Sequence, residues 1–279
     1  MQTCGIFTSG RKVIPYDGEE IQLVPFGDVH YGCANYAKAS FNKWCKEVQK
    51  LSNPYFIGMG DYFDAVSASE RRSLRTASLH DQTYKMLNDQ AEQREKDFVK
   101  QISFMKGRTL GLLGGNHEWE YPDGTCSTEK LARELGGEYL GVGTLFNLTL
   151  ERGTKRIPLI LHAHHGKGGG GTSGGSLNRV AKGQLGFEAD IHLMGHDHQL
   201  VGGVSTRIRL TPANRIVHRY VWSGRTASFL KGYPEGEPSY AVDAGYMPGP
   251  LGGVFFKLHQ AYSKERGNHI DFRPEWILV

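Results

Sequence analysis

Short apolar runs recur along the chain, and most of them end in glycine followed by polar residues. Runs of this length and composition are typical of buried β-strands. Apolar residues at helical spacing in 35–51 predict a crossover helix after the first run, so strand, helix and strand form a βαβ unit. The pattern therefore predicts an α/β fold, with buried strands at 21–27, 55–60, 109–113, 157–161 and 191–194.

The segments between and beyond these runs predict the remaining elements. Alternation of apolar and polar residues at 145–150 indicates that the sheet turns antiparallel there. Two glycines at 136–137 are typical of a helix end. We further expect an edge hairpin or a loose start at 1–20, one or two amphipathic helices at 69–106, a short helix at 127–135, antiparallel strands at 206–210 and 216–222, and closing strands at 254–258 and 268–279.

Oxygen or imidazole donors follow all five apolar runs. At a single strand end, an aspartate after glycine is ordinarily a turn residue or a helix cap. Five such ends are more informative, because the carboxyl ends of strands in open α/β sheets border the crevice in which ligands bind. The donors are Asp28 and His30; Asp61 and Asp64; Asn116, His117 and Glu118; His162, His164 and His165; and His196 and His198.

The chemical types of these donors indicate a metal site. Carboxylate, imidazole and amide groups without thiolates favour Mn, Fe, Zn, Co or Mg. About seven ligands are too many for one tetrahedral ion, but they suit two ions that share a carboxylate, roughly 3.5–4 Å apart in two-metal sites. Such a pair lowers the pKa of a bridging water and clamps phosphoryl oxygens during displacement.

Composition narrows the class of protein. A chain of 279 residues suits a single α/β domain spanning 1–279. The net charge of +4 is compatible with phosphate-bearing partners without requiring them. We expect a cytoplasmic location and no membrane partner, because the sequence has no export signal and no membrane-spanning run. No Cys-x-x-Cys pair occurs among the four cysteines, which are Cys4, Cys33, Cys45 and Cys126.

Taken in order, the strand-end motifs resemble the five signature motifs of the calcineurin-like metallophosphoesterase superfamily. They span 28–198, about the size of the catalytic core of that family. The resemblance implies a four-layer α/β sandwich in which two mixed β-sheets are flanked by helices. The matching motifs are Asp28-x-His30, Gly60-Asp61-x-x-Asp64, Gly115-Asn116-His117-Glu118, His165-Gly166 and Gly195-His196-x-His198.

The resemblance also implies a role for the motif residues. Asp61 would bridge two divalent ions, for which we expect Mn²⁺ first and Fe, Zn, Co or Mg as alternatives. His117 would contact the phosphate and protonate the leaving group or support the nucleophile. Asp64 would orient or cap a neighbouring group, and Glu118 would support His117 or the loop. The implied ligands are Asp28, His30 and His198 for one ion, and Asn116, His196 and the fourth-motif histidine for the other.

The fourth motif leaves two candidate ligands. His165 precedes Gly166 as the motif requires, and it is our choice, with His164 as the alternative. His162 and His192 lie inside apolar runs, and we interpret them as satisfied core histidines rather than ligands.

The leading hypothesis is a metal-dependent phosphoesterase that hydrolyses a phosphate mono- or diester through a bridging hydroxide. A nuclease acting on DNA or RNA is one form of it, and a protein phosphatase or small-molecule phosphodiesterase fits the same motifs. The alternatives are a silent scaffold, disfavoured by the intact donors, and a structural metal protein, disfavoured by the glycine-rich segment at 166–175, which we predict to be a mobile flap. Basic residues in or after this segment that could contact phosphates are Lys167, Arg179, Lys182, Arg207 and Arg209.

Overall fold

The apolar runs form strands in two mixed sheets of six strands each, with helices on both sides. The computed structural model describes residues 6–64, 79–168 and 171–279. The strands are β1 Phe7–Pro15, β2 Ile21–Phe26, β3 Pro54–Gly58, β4 Thr109–Leu112, β5 Glu138–Tyr139, β6 Gly143–Arg152, β7 Lys155–His164, β8 Ile191–Met194, β9 Gly202–Leu210, β10 Ile216–Arg225, β11 Gly252–Ser263 and β12 Gly267–Leu278. The helices are α1 Lys38–Val48, α2 Asp81–Ile102, α3 Ser127–Leu135, α4 Ser173–Gly186 and α5 Tyr240–Asp243, with a 3-10 turn at Ser103–Met105.

One sheet has the order β12-β11-β2-β3-β4-β5, and the other has the order β1-β6-β7-β8-β10-β9. In the first sheet, β2, β3, β4 and β5 run parallel, which requires crossover helices between them. In the second sheet, β7, β8 and β10 run parallel, while β6 and β9 are antiparallel to their neighbours β7 and β10. The carboxyl ends of five strands carry the predicted donors.

A hydrophobic core fills the space between the two sheets. Leu23 and Ile57 of the first sheet and Leu161 and Leu193 of the second belong to this core, and each is fully buried. Burial of side chains of this size stabilises the fold by roughly 1.5–3 kcal/mol each. The core therefore fixes the strands whose ends carry the donors.

A second core lies between the first sheet and α1, α2 and α3. The side chains of β2 alternate between the two cores, since Leu23 faces the other sheet and Val24 faces the helices. Phe41, Trp44 and Phe98 supply the helical side of this core. Helix α4 contacts β8 and β10 of the other sheet. The order helix, sheet, sheet, helix confirms the predicted four-layer α/β sandwich.

Three expectations need correction or fall partly outside the described residues. β1 pairs in parallel with β6 and does not form a hairpin, because the rest of 1–20 supplies no second strand in the described part. Helix α4 begins inside the segment predicted to be a flap. Its N-terminus is capped by Thr172, whose Oγ1 accepts a hydrogen bond from the backbone N–H of Gly175. Residues 169–170 of that segment and 69–78 of the predicted amphipathic region lie outside the described ranges. No helix in the described ranges is both long and apolar enough to cross a membrane.

Candidate metal centre

All seven predicted metal ligands lie together beyond the carboxyl ends of β2, β3, β4, β7 and β8. Their donor atoms form two groups, and Asp61 is close to both. The first group consists of Asp28, His30 and His198; the second consists of Asn116, His165 and His196; and Asp61 lies between them.

The first group converges through one oxygen and two ring nitrogens. His30 Nε2 lies 3.2 Å from His198 Nε2, and His198 Nε2 lies 3.7 Å from Asp28 Oδ1. Asp28 Oδ2 accepts a hydrogen bond from the backbone N–H of His196 at 2.8 Å. Its other oxygen, Oδ1, is buried and has no hydrogen-bond partner among the described residues. An unpartnered buried carboxylate oxygen facing two imidazoles suits a cation.

The second group converges in the same way. His165 Nε2 lies 3.0 Å from Asn116 Oδ1 and 3.3 Å from His196 Nδ1. His196 Nδ1 lies 2.9 Å from the same Asn116 oxygen. Imidazole and amide oxygen are both established ligands of divalent transition metals.

Asp61 faces both groups. Its Oδ2 lies 3.3 Å from His165 Nε2 in the second group and 4.0 Å from His30 Nε2 in the first. Its Oδ1 accepts a hydrogen bond from the backbone N–H of His117 at 2.9 Å. One oxygen thus holds the neighbouring loop, and the other is left for the site.

A hydrogen bond on the far side of the His165 ring decides which of its nitrogens carries a lone pair. His165 Nδ1 lies 2.7 Å from the carbonyl oxygen of Met59, which can only accept, so Nδ1 carries the proton. In the neutral ring, His165 Nε2 therefore carries a lone pair, and this lone pair faces Asn116 Oδ1 and Asp61 Oδ2. Such an arrangement is repulsive unless a proton or a metal ion lies among these atoms. Partners of this kind fix the orientation of metal-binding histidines, and the residues present fit a divalent ion.

The pKa values of three predicted ligands are shifted by burial and by the charges of their neighbours. Burial raises the pKa of Asp28 to about 7, although neighbouring histidines oppose the shift. Burial would lower the pKa of His165, but the charge and hydrogen bond of Asp61 outweigh it and raise that pKa to about 9. Burial and the charge on His165 lower the pKa of His196 to about 4. His165 therefore holds a proton at neutral pH, in a position where a metal ion would replace it.

His117 lies beside the two donor groups, with one ring nitrogen hydrogen-bonded to Asp64 and the other near Asp61. Its Nδ1 donates to Asp64 Oδ1, and its Nε2 lies 3.8 Å from Asp61 Oδ2. Asp64 also contacts His30 Nδ1, at 3.4 Å. Burial would raise the pKa of Asp64, but the hydrogen bonds from these two histidines outweigh it and lower that pKa. Asp64 thus contacts both rings.

The loops that carry the donors have unusual backbone conformations. Among the described residues, seven non-glycine residues have positive φ, and five of these are predicted ligands. Positive φ is uncommon outside glycine, and such strain concentrates at functional sites. Gly115 leaves room for the carboxylate of Asp61, because a Cβ there would lie 2.0 Å from Asp61 Oδ1. The five ligands with positive φ are Asp28, His30, Asp61, His196 and His198.

His164 and His165 occupy different environments. His165 belongs to the second donor group, whereas His164 Nδ1 accepts a hydrogen bond from the backbone N–H of Gly166 at 2.7 Å. His164 is not part of either donor group. The geometry favours His165 as the fourth-motif ligand.

Sequence reasoning missed a buried polar network behind the site, formed by Ser176, Asp197 and Arg225. Arg225 lies at the end of β10, and Asp197 lies between His196 and His198. The arginine is the last residue of β10 and belongs to no recognisable motif. No signal in the sequence identified it, because its position next to β8 is known only from the folded chain.

Comparisons with known proteins find similarity in structure only. No family model matches the chain, and no curated protein matches its sequence. NAD nucleotidase NadN of Haemophilus influenzae aligns with 94% of this chain at 11% identity and a TM-score of 0.38, and the chain spans about half (51%) of that protein. Vps29 of Chaetomium thermophilum aligns with 93% of this chain and 98% of its own, at 8% identity and a TM-score of 0.28. A hypothetical protein of Thermus thermophilus aligns with 93% and 99%, at 11% identity and a TM-score of 0.31. Function therefore has to be inferred from the side chains at the strand ends.

Proposed function

We propose that the protein is a metal-dependent phosphoesterase that binds two divalent ions. Asp28, His30 and His198 would hold one ion, and Asn116, His165 and His196 the other. Asp61 would be shared by both. The donor set contains oxygen and imidazole nitrogen but no thiolate, which suits Mn, Fe, Zn, Co or Mg, and we take Mn²⁺ as the first choice.

The observation that carries this proposal is the position of Asp61 Oδ2 between the two donor groups. It lies 3.3 Å from His165 Nε2 and 4.0 Å from His30 Nε2, so one oxygen faces ligands of both groups. A carboxylate that served a single ion would not need to face both. The order of motifs, which resembles that of the calcineurin-like metallophosphoesterases, supports the same assignment.

When bound, a pair of divalent ions activates a water and neutralises charge on phosphoryl oxygens. The protein itself would place a proton donor, His117, beside the two ions. Asp64 accepts the Nδ1 proton of His117, which leaves Nε2 directed toward the site. A protonated Nε2 there can donate to the leaving-group oxygen as the phosphorus–oxygen bond breaks, and general acid catalysis of this kind contributes about 10²–10⁴-fold.

Nucleic acid is a second candidate for the substrate, supported by two exposed basic side chains near the fourth motif. Lys167 follows His165-Gly166, and Arg179 of α4 donates from Nη1 to the carbonyl oxygen of Lys167 at 2.7 Å. Positive side chains beside a phosphoesterase site would contact the phosphates that flank the scissile bond. A nuclease would then lose affinity for DNA as salt concentration rises.

The test is an activity assay with four substrates. Purified protein supplied with Mn²⁺ would be offered an aryl phosphomonoester, an aryl phosphodiester, single-stranded DNA and double-stranded DNA. We expect hydrolysis of at least one substrate, abolished by chelation and restored by added metal. Cleavage of DNA with a steep salt dependence would support the nuclease. Metal-loaded protein that hydrolyses none of the four would contradict the proposal.

A further inference from the structure

Arg225 is a buried cation directly behind the candidate metal centre. Its side chain is fully buried (0% exposed), although arginine is almost never fully buried unless it is paired. It lies at the carboxyl end of β10, opposite Met194 of β8, which is the last residue before the turn that carries His196 and His198.

The guanidinium contacts two segments, the His196–His198 turn and α4, and lies close to Gly166 of the fourth motif. Its Nη1 donates to the carbonyl oxygen of Gly195 at 2.5 Å, and its Nε donates to the carbonyl oxygen of Ser176 in α4 at 3.4 Å. Its Nη2 lies 3.2 Å from Asp197 Oδ2, as an ion pair. A Cβ on Gly166, next to His165, would lie 3.2 Å from Nη1. One side chain thus supports the His196–His198 turn, packs beside the fourth motif and contacts α4.

Asp197, within the His196–His198 turn, contacts both Arg225 and Ser176. Its side chain is only 3% exposed, and its Oδ2 accepts from Ser176 Oγ as well as facing Arg225. Its Oδ1 accepts from the backbone N–H of Gln199 at 3.3 Å. Both histidines that flank Asp197 have positive φ, at 75° and 59°. A conformation of this kind costs about 1–3 kcal/mol per residue and persists only where its surroundings enforce it.

A buried cation next to a site for two divalent ions is electrostatically unfavourable. Asp197 offsets part of that cost, but a buried ion pair generally stabilises a fold no more than apolar side chains of similar volume. The pair is therefore better explained by geometry than by stability. Arginine suits this role because its planar guanidinium donates in several fixed directions, which the ammonium of lysine does not.

We propose that Arg225 is a positioning residue that holds the His196–His198 turn in the conformation in which both imidazoles face the two donor groups. The inference rests on the proposed function, since these imidazoles are taken to bind metal ions. It adds a residue outside the five motifs that determines how tightly the ions bind.

The test compares Arg225→Lys with a matched control, Arg219→Lys. Arg219 lies on the same strand and pairs with Asp190, away from the turn. We expect Arg225→Lys to lower Mn²⁺ affinity by roughly 10–100-fold, the usual effect of removing an outer partner of a metal site. We also expect an altered visible spectrum of bound Co²⁺ and activity that excess metal restores. Arg219→Lys should match the wild type in all three.

The outcomes separate the inference from the function on which it rests. Unchanged Mn²⁺ affinity and Co²⁺ spectrum in Arg225→Lys, with a wild type that binds two ions, would overturn the inference alone. A wild type that binds no divalent ion would overturn the proposed function and this role with it. If Arg225→Lys does not fold, the double variant Arg225→Gln/Asp197→Asn removes both buried charges and should show the same weakened metal binding. Failure of both to fold would make Arg225 a folding residue and overturn the proposal.

Discussion

The neighbouring strands β7 and β8 carry two pairs of histidines with nearly equal spacing and opposite surroundings. At the strand ends, His165 Nε2 lies 3.3 Å from His196 Nδ1. Within the strands, His162 and His192 are directly paired in the register, and their Nδ1 atoms lie 3.2 Å apart. The first pair faces Asp61 and Asn116, whereas the second is packed against Phe187, whose ring stacks on His162 at 4.1 Å.

The inner pair has no carboxylate partner among the described residues, which makes it unlike the outer one. Burial, followed by the charge of His192, lowers the pKa of His162 to about 4, and burial with the charge of Arg207 lowers that of His192 to about 4. At the strand end, Asp61 raises the pKa of His165 to about 9 against the effect of burial. The comparison teaches that spacing between imidazoles does not identify a metal site. A nearby carboxylate, Asp61, is what distinguishes the outer pair from the inner one.

The largest effect is expected from removing one histidine at the strand end. His165→Ala should abolish measurable phosphoesterase activity. It should also weaken binding of one ion by more than roughly 100-fold, because removing a ligand costs more than removing a residue that only hydrogen-bonds to a ligand. His164→Ala is the matched control and should bind two ions, because its Nδ1 only accepts from Gly166 N. The check is a metal titration of both variants. Loss of an ion in His164→Ala and its retention in His165→Ala would reverse the assignment.

The next effect separates acid catalysis from metal binding. His117→Ala should lower kcat by about 10²–10⁴-fold, as expected for a positioned acid–base group, and should keep both ions. Steady-state kinetics together with metal analysis of the same preparation provide the measurement. Loss of metal in this variant would show that His117 is a ligand, and the assignment of Asp64 as its orienting partner would then be wrong.

Metal affinity should depend on pH in the direction set by the strand-end groups. The raised pKa of His165, about 9, and of Asp28, about 7, mean that protons must leave before both can act as ligands. Affinity should therefore rise with pH between 6 and 8, by about tenfold per unit for each proton released. Titrations in buffers of different ionisation enthalpy would count those protons. Affinity that stays constant over this range would contradict the protonated state inferred for His165.

The inner pair, His162 and His192, should affect the free energy of unfolding rather than metal binding. The folded pKa of His192, about 4, lies below its ordinary value of 6.5, so the unfolded chain binds a proton that the folded chain does not. Lowering the pH from 7 to 5 should therefore cost roughly 2 kcal/mol of unfolding free energy for this one histidine. Urea unfolding of the metal-free protein should show a flatter pH dependence in His192→Leu than in the wild type. Parallel pH profiles would indicate that His192 is protonated in the fold.

The strand-end donors could be predicted from the sequence because each follows a short apolar run typical of a buried strand, as Asp61 follows Phe56-Ile-Gly-Met-Gly. Helix α4 was missed because its first turn is glycine-rich, and its N-cap at Thr172 is recognisable only in the folded chain. The expectation that His162 and His192 are satisfied core histidines holds for their burial. It is wrong for their hydrogen bonds, since the Nε2 atoms of both have no partner among the described residues. Arg225 could not be predicted, because its partners are distant in the chain, up to 49 residues away, and two of them are backbone carbonyls.

The central claim is that one carboxylate serves two ions, and metal stoichiometry tests it most directly. Equilibrium dialysis followed by elemental analysis should find two divalent ions per chain in the wild type. In Asp61→Asn both ions should bind more weakly, because Asp61 Oδ2 faces His165 of one group and His30 of the other. The matched variant His192→Leu should keep two ions. Binding of a single ion to the wild type, or weakening of only one ion in Asp61→Asn, would contradict the dinuclear centre.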